Sequence, residues 1–430
     1  MTLRTAWHDT LFTTRALATV GLEKLVTGIV FNPTDASMRA DPYPFYRRLR
    51  ESDPMHRSWV GGGWVLSRYD DIKSVLADKS YSADERNWSL ARSFRARAAA
   101  HGVPDFYESG LITMLRSDPP DHTRVRKLVS KAFTPRAIES LRGRAEEILD
   151  ELLSGRGRHG RLELVADLAA PFPIIMIAEM LGVPAEDRDR FRYWSDEAVK
   201  TLGDNSLEEA KEGLAAMEEF GDYIEAVAND RRAEPRDDLL SGLVAAEEEG
   251  DRLSMSELRA TCVLLMVAGN ETTTSLIGNA VLALLAHPEQ AAMLREEPKR
   301  IAGAVDELLR YDSPVQLTSR IATRDAELHG QRVRAGQQMV LLLGSANRDP
   351  DAFDRPDELD VTRDAGHHLS FSFGLHRCLG AQLAKLEGEL AVNALLSRFP
   401  ELKLGDSPDR AIEWGTNTIL RGPKRLELVH

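Results

Sequence analysis

Apolar residues recur at helical spacing through most of this chain and at strand spacing in a few short runs, which predicts a mainly α protein with a smaller β region. The longest helical pattern opens on Ser254-Met255-Ser256-Glu257, a capping box, and runs to about Leu285, where His287-Pro288 stops it. About 30 residues at 1.5 Å each reach roughly 45 Å, enough to cross the whole molecule. Its centre, Val267-Ala268-Gly269-Asn270-Glu271-Thr272-Thr273, interrupts the apolar run with a glycine and polar groups. A glycine there costs about 1 kcal/mol relative to alanine, so something should offset it.

The rest of the pattern is shorter in period. Pro42 to Leu49 and Tyr69 to Leu76 read as short helices, with paired strands at Met55 to Trp59 and Trp64 to Ser67 across Gly61-Gly62-Gly63. Ser80 to Met114 shows no period and reads as a long irregular stretch, the kind that serves function or motion. Helices dominate from Pro135 to Arg232, with breaks at Gly155 to Gly160, Pro184 and Gly203-Asp204-Asn205. A helix begun at Pro298 ends before Pro314, and Val333, Met339, Leu341 and Leu343 belong to strands. Leu379, Leu383, Leu386 and Leu390 then mark a late amphipathic helix.

Near the start, Leu11, Phe12, Leu17, Val20, Leu22, Leu25, Val26, Ile29 and Val30 are apolar, but Arg15, Glu23 and Lys24 interrupt them. That is too broken to span a bilayer and lacks a secretory cleavage site, so it predicts an amphipathic helix docked on the body. Composition narrows the class further. With 43% hydrophobic residues the chain can bury a sizeable core, and a net charge of −13 argues against nucleic acid as partner. Two cysteines, Cys262 and Cys378, give no disulfide framework and fit a reducing, cytoplasmic compartment.

Cys378 is the first candidate for chemistry. It lies between Gly374 and Gly380 where a strand-like run gives way to the late helix, so helix-start N–H groups would favour its thiolate, a metal ligand. A small buried hydrophobe is the plainer alternative. His122 and Arg126 stand one turn apart on a helix opened by Pro119-Pro120, as a solvated face or an anion site. Gly269 and the threonines after it are either helix packing with back-bonding hydroxyls or a local opening towards a ligand. Glu307 and Arg310 form an i,i+3 pair that any helix can carry.

Phe371, Gly374, Cys378 and Gly380 match F-x-x-G-x-x-x-C-x-G, and the segment resembles the haem loop of the cytochrome P450 family, with Ser372 where glycine is frequent. Ala268-Gly269-Asn270-Glu271-Thr272-Thr273 is similar to the family's oxygen-activation motif, and His122-x-x-x-Arg126 to its propionate-binding pair. The resemblance covers Asp41 to His430. It implies one P450 domain over 41–430, built as a helical body around a buried haem, preceded by an extension at 1–40. It implies haem b (heme b, iron-protoporphyrin IX) ligated by Cys378, with Phe371 shielding the sulfur and Gly374 and Gly380 letting backbone approach the ring. Propionates would be held by His122, Arg126, Arg320 and His376, with Ala268 and Gly269 lining the cofactor. Glu271 and Thr272 would deliver protons, and Glu307-Arg310 would be a buried pair completed by Arg355 or Arg363.

The implied activity is monooxygenation of a hydrophobic small molecule with O2, driven by an external ferredoxin or flavodoxin and its reductase. A peroxide-driven enzyme and a non-enzymatic haem carrier or sensor are the alternatives. The basic residues Arg124, Lys127, Lys131 and Arg136 would dock an acidic electron donor. Pro171 to Met180 and Phe191 to Leu202 would correspond to mobile lid helices.

Overall fold

In the computed structural model, which describes residues 21, 23–58, 63–105, 107–108, 111–155, 160–201, 206–248, 250–405 and 411–430, the capping box forms as written in the sequence. Ser254 Oγ accepts from the Glu257 N–H at 3.3 Å, and Glu257 Oε2 accepts from the Ser254 N–H at 2.9 Å. The helix it starts spans Met255–Ala286, 32 residues, or about 48 Å. It is buried on nearly every side, so apolar residues surround it with no single apolar stripe. Against it pack Pro171–Met180, Leu207–Ala233, Ile301–Tyr311 and Ala381–Arg398. The main core joins Val263, Met266 and Ile277 of the long helix to Phe172, Phe191, Trp194 and Phe220. Burying each such aromatic is worth about 2–3 kcal/mol.

The β region draws its strands from distant parts of the chain. One five-stranded sheet runs in the order Met55–Ser58, Gly63–Leu66, Gln338–Leu341, Thr318–Ala322, Tyr81–Ser82. The first pair is antiparallel with Met55 opposite Leu66, and Gln338–Leu341 joins Gly63–Leu66 in parallel. In a second sheet Pro423–Val429 lies between Lys403–Leu404 and Ile412–Trp414 and also pairs with Arg161–Glu163. The long helix, the late helix and the strands at Val333, Met339 and Leu341 match the predicted architecture, whereas Leu343, predicted in a strand, opens the short helix Leu343–Ala346, because the apolar run continues past the strand's end at Leu341 with no change of period.

Two other predicted features differ in detail. The stretch from Ser80 to Met114 contains a ten-residue helix, Ala91–Ala100, whose alanines and arginines bury only Ala91, so no apolar period announces it. Arg161–Glu163 is a strand inside the region read as helical, because three residues paired edge-on leave no pattern. Trp59 and the glycines Gly61 and Gly62 lie outside the described residues, as do 1–20 of the predicted amphipathic helix. Residues 23–27 are helical, and the buried Glu23 carboxylate accepts from the Phe31 N–H at 3.0 Å and meets His56 Nε2 at 3.1 Å. Ile29 and Phe31 then join Tyr43, Tyr46 and Leu49 in one cluster.

Candidate active site at the cysteine loop

The loop that carries Cys378 begins at Phe371, which packs against Leu276 of the long helix and Val305 and Leu309 of Ile301–Tyr311. That contact seats the loop beside the long helix, one turn beyond Thr272. Gly374 opens a 3-10 turn, Gly374–His376, with φ +70°, and a Cβ there would lie 2.4 Å from the Leu76 carbonyl oxygen. Only glycine fits both demands. Gly380 is the N-cap of Ala381–Arg398, and its own Cβ would meet nothing within 4 Å. Cys378 donates its backbone N–H to the Phe371 carbonyl at 2.8 Å, closing the loop.

The thiol itself is less acidic than helix-start geometry alone predicts. Desolvation raises its pKa, while the Gly380 N–H and the charges of Arg126 and Arg377 pull it down without prevailing. Cys378 stands two residues ahead of the N-cap Gly380, on an open side of the loop, where the helix start has one well-placed N–H to offer against the crowding of the sulfur by surrounding protein. The chain's own groups do not hold a thiolate here. A bound cation would.

Around this loop three elements deliver bases to one place. His122 and Arg126 come from the helix Asp121–Ser130, Arg320 from the strand Thr318–Ala322, and His376 from the 3-10 turn. The His122 and His376 rings lie 4.2 Å apart between centroids. Burial, then Arg320, His122 and Arg126, push His376 down to about 3. Burial lowers Arg320 to about 10 and lowers Arg126, and it lowers His122 with help from Arg126 and Arg320. Both ring nitrogens of His122 are buried and make no hydrogen bond. Arg126 Nη2 donates to the Arg377 carbonyl at 2.5 Å, and Arg320 Nη1 to the Ser319 carbonyl at 2.7 Å, so neither guanidinium has a carboxylate partner among the hydrogen bonds of the described residues. Such a gathering of bases, His122 and Arg320 buried and Arg126 and His376 half-buried, is built for an anion.

The long helix passes without a break through the motif at its centre. Ala268 is exposed there, and Gly269, Glu271 and Thr272 are half-buried, in an otherwise buried helix. The Thr272 hydroxyl donates to the Ala268 carbonyl at 2.7 Å, so in this conformation Gly269 has not opened the helix and the back-bonded geometry holds. Burial and the charge of Asp196 raise the pKa of Glu271, opposed by Lys424. Sequence reasoning missed the Asp196 and Lys424 neighbours, which come from chain far away. It also missed Glu387, a buried acid one turn after Leu383 on the apolar face of the late helix, a position legible from its spacing.

Of the predicted structural pair, Glu307 and Arg310 are both wholly buried and joined by bonds of 2.6 and 2.9 Å. Arg363 completes them at 3.2 Å, whereas Arg355 turns to Asp354 and Glu358. Of the predicted basic face, Arg124 is engaged by Asp251 and Glu257. A cleft of about 940 Å3 between Tyr43, Leu285, Phe399 and Trp414 lies at the C-terminal end of the long helix and contains none of these site residues.

A thiol beside a nest of bases, on a loop packed against a helix with an acid and a hydroxyl at its centre, defines the site of a haem-thiolate protein. The chain matches the family model for cytochrome P450 over residues 29–430. It is 40% identical to the polyketide biosynthesis cytochrome P450 PksS of Bacillus subtilis, across 93% of this chain and 98% of that one. It is 43% identical to the vitamin D(3) 25-hydroxylase of Pseudonocardia autotrophica, across 90% and 93%. The solved structure of Bacillus subtilis PksS superposes with a TM-score of 0.84, covering 93% of this chain and 99% of that one. The chain belongs to the cytochrome P450 family, and it is a haem-dependent monooxygenase whose cofactor is haem b. It works with O2 and a redox partner on small-molecule substrates, and among the described residues no helix is long and apolar enough to cross a membrane.

Proposed function

We propose that Cys378 is the thiolate ligand of the haem and that His122, Arg126, Arg320 and His376 bind its two propionates. The observation that carries this reading is the buried, unpartnered His122 ring set among three other bases, which fits a dianionic edge and little else. Phe371, Gly374 and Gly380 shape the loop around the sulfur, and Ala268 and Gly269 line the opposite side. When bound, the haem supplies reductive activation of O2 and insertion of one oxygen atom into substrate. The chain's part is to seat it, exclude water and move protons.

Glu271 is suited to hold a proton, because burial and Asp196 extend the range over which its acid form persists. Thr272 passes it on by rotating its hydroxyl away from the Ala268 carbonyl. The substrate is a hydrophobic small molecule; polyketide and vitamin D chemistry, named for two relatives, mark the size range to test first. Electrons come from a separate ferredoxin or flavodoxin with its reductase, in the cytoplasm. Lys127, Lys131 and Arg136, all exposed, form its docking face without Arg124. Residues 41–430 act as one domain, with 1–40 as an extension fastened at Glu23–His56.

The test is product formation from a polyketide and secosteroid library under three regimes: O2 with NAD(P)H, ferredoxin and reductase; peroxide alone; neither. Turnover in the first regime is the expected result. Turnover with peroxide alone, none with the reductase, would overturn the reductase-driven reading.

A further inference from the structure

The motif at the centre of the long helix faces two ways. Ala268 and Thr272, one turn apart, share the face that is open, and their side-chain to backbone bond lies along it. Asn270, two residues from each, turns to the opposite side and is buried. There its Nδ2 donates at 2.9 Å to Ser195 Oγ on the helix Arg188–Ala198, and Ser195 is wholly buried as well. Its Oδ1 accepts from the Thr274 hydroxyl at 3.4 Å, while that hydroxyl donates at 2.9 Å to the Ala169 carbonyl, just ahead of the helix Pro171–Met180. Ile177 of that helix packs on Gly269, where an added Cβ would come within 3.1 Å. Gly269 and Asn270 thus fasten the motif to two flanking helices, through polar groups that burial makes costly to leave unpaired.

We propose that Asn270 is a positioning residue: its bond to Ser195 transmits the seating of the helix Arg188–Ala198 to Glu271 and Thr272, which flank it on the long helix. The inference deepens the roles given above to Glu271 and Thr272 and rests on them. The neighbours of the two bonded residues show how seating reaches chemistry. Asp196 follows Ser195, and Glu271 follows Asn270. Asp196 and Lys424 are the charges that act on Glu271, while Asp196 itself answers to Arg192, Glu197 and Lys200. When the bond holds, Asp196 stays at a fixed separation from Glu271 and keeps its proton affinity high. When the helix lifts, that influence weakens and Glu271 releases its proton at lower pH.

The experiment uses the holoenzyme and needs no substrate. Amide hydrogen exchange is followed in residues 188–198 and 267–273, and the carboxylic C=O infrared band that Glu271→Gln removes is titrated with pH. Ser195→Ala should speed exchange in both segments by about fivefold, the size one buried hydrogen bond supports. It should also lower the titration midpoint of the Glu271 band by about half a pH unit, a threefold change in proton affinity. Asn270→Ala should do the same, the double variant no more than either single one, and Ser195→Thr, which keeps the hydroxyl, should restore both readouts. Faster exchange confined to 188–198, an unmoved midpoint, additive losses or failure of Ser195→Thr would each overturn the link. If Asn270→Ala does not fold, the two Ser195 variants decide alone. Loss of the proton-delivery reading would appear elsewhere, as an unchanged product-to-peroxide ratio in Thr272→Ala with both of these readouts intact.

Discussion

Arg363 Nε lies 3.2 Å from Glu307 Oε1, an oxygen that also accepts from Arg310 Nη2 at 2.9 Å and from the Asp360 N–H at 3.0 Å. Arg310 spends its remaining donors on the carbonyls of Asn347, Pro356 and Glu358, so one buried carboxylate and one buried guanidinium organise the approach to the cysteine loop. Breaking such a pair from one side strands the other charge. Glu307→Ala should therefore cost about 3–5 kcal/mol. Arg363→Ala, at the partly exposed edge, should cost about 1–2 kcal/mol. Urea unfolding of both variants checks the order, and equal losses would show that Arg363 is no mere edge partner.

Cys378→Ser should leave the fold intact while the reduced carbon monoxide complex loses the red-shifted Soret band of thiolate ligation. The substitution is isosteric and the loop is held by the Cys378 backbone N–H, which serine keeps. A persistent band would mean that another side chain is the ligand.

Ser372 has φ +59°, and its buried hydroxyl finds no partner. The left-handed region costs a non-glycine residue about 1–2 kcal/mol, and glycine returns part of that gain through a freer unfolded chain. Ser372→Gly should raise stability by about 0.5–1 kcal/mol with the carbon monoxide spectrum unchanged. Gly374→Ala, two residues on, should do the opposite and lose haem, because its Cβ would strike the Leu76 carbonyl.

Glu387 is buried and its pKa stands at about 8, raised by desolvation and only partly relieved by a hydrogen bond from Thr273. The folded protein then keeps this proton between about pH 4.5 and 8 while the unfolded chain has released it. Stability therefore falls as pH rises through that window. Glu387→Gln should flatten the decline between pH 6 and 8 and make the protein more stable than wild type at pH 8. A parallel decline in the variant would place the titrating group elsewhere.

Much of this was legible in the chain because the governing interactions are local. The Ser254 capping box, the apolar period of the long helix and the spacing of Phe371, Gly374, Cys378 and Gly380 each lie within a dozen residues or recur regularly. The four bases came together at the sequence level only through the family resemblance; spacing alone does not show their convergence, since His122, Arg320 and His376 meet only through the fold. The Cys378 thiol shows the limit of a local argument: a helix start favours an anion, yet one N–H from Gly380 and the charges of Arg126 and Arg377 do not outweigh the desolvation brought by the rest of the fold. Asn270 gave no signal at all. Its partner Ser195 is 75 residues away.

The second sheet has a timetable built into it. Arg161–Glu163 pairs with Glu427, Leu428 and Val429, so its partner strand reaches it only after all the chain between them has been made. Until then the nascent chain carries a short unpaired edge in its middle while the helices around it are already complete, an exposure that chaperones meet in slow, long-range topologies. A polypeptide cut short just before Pro423 would hold every catalytic candidate and lack the closing strand.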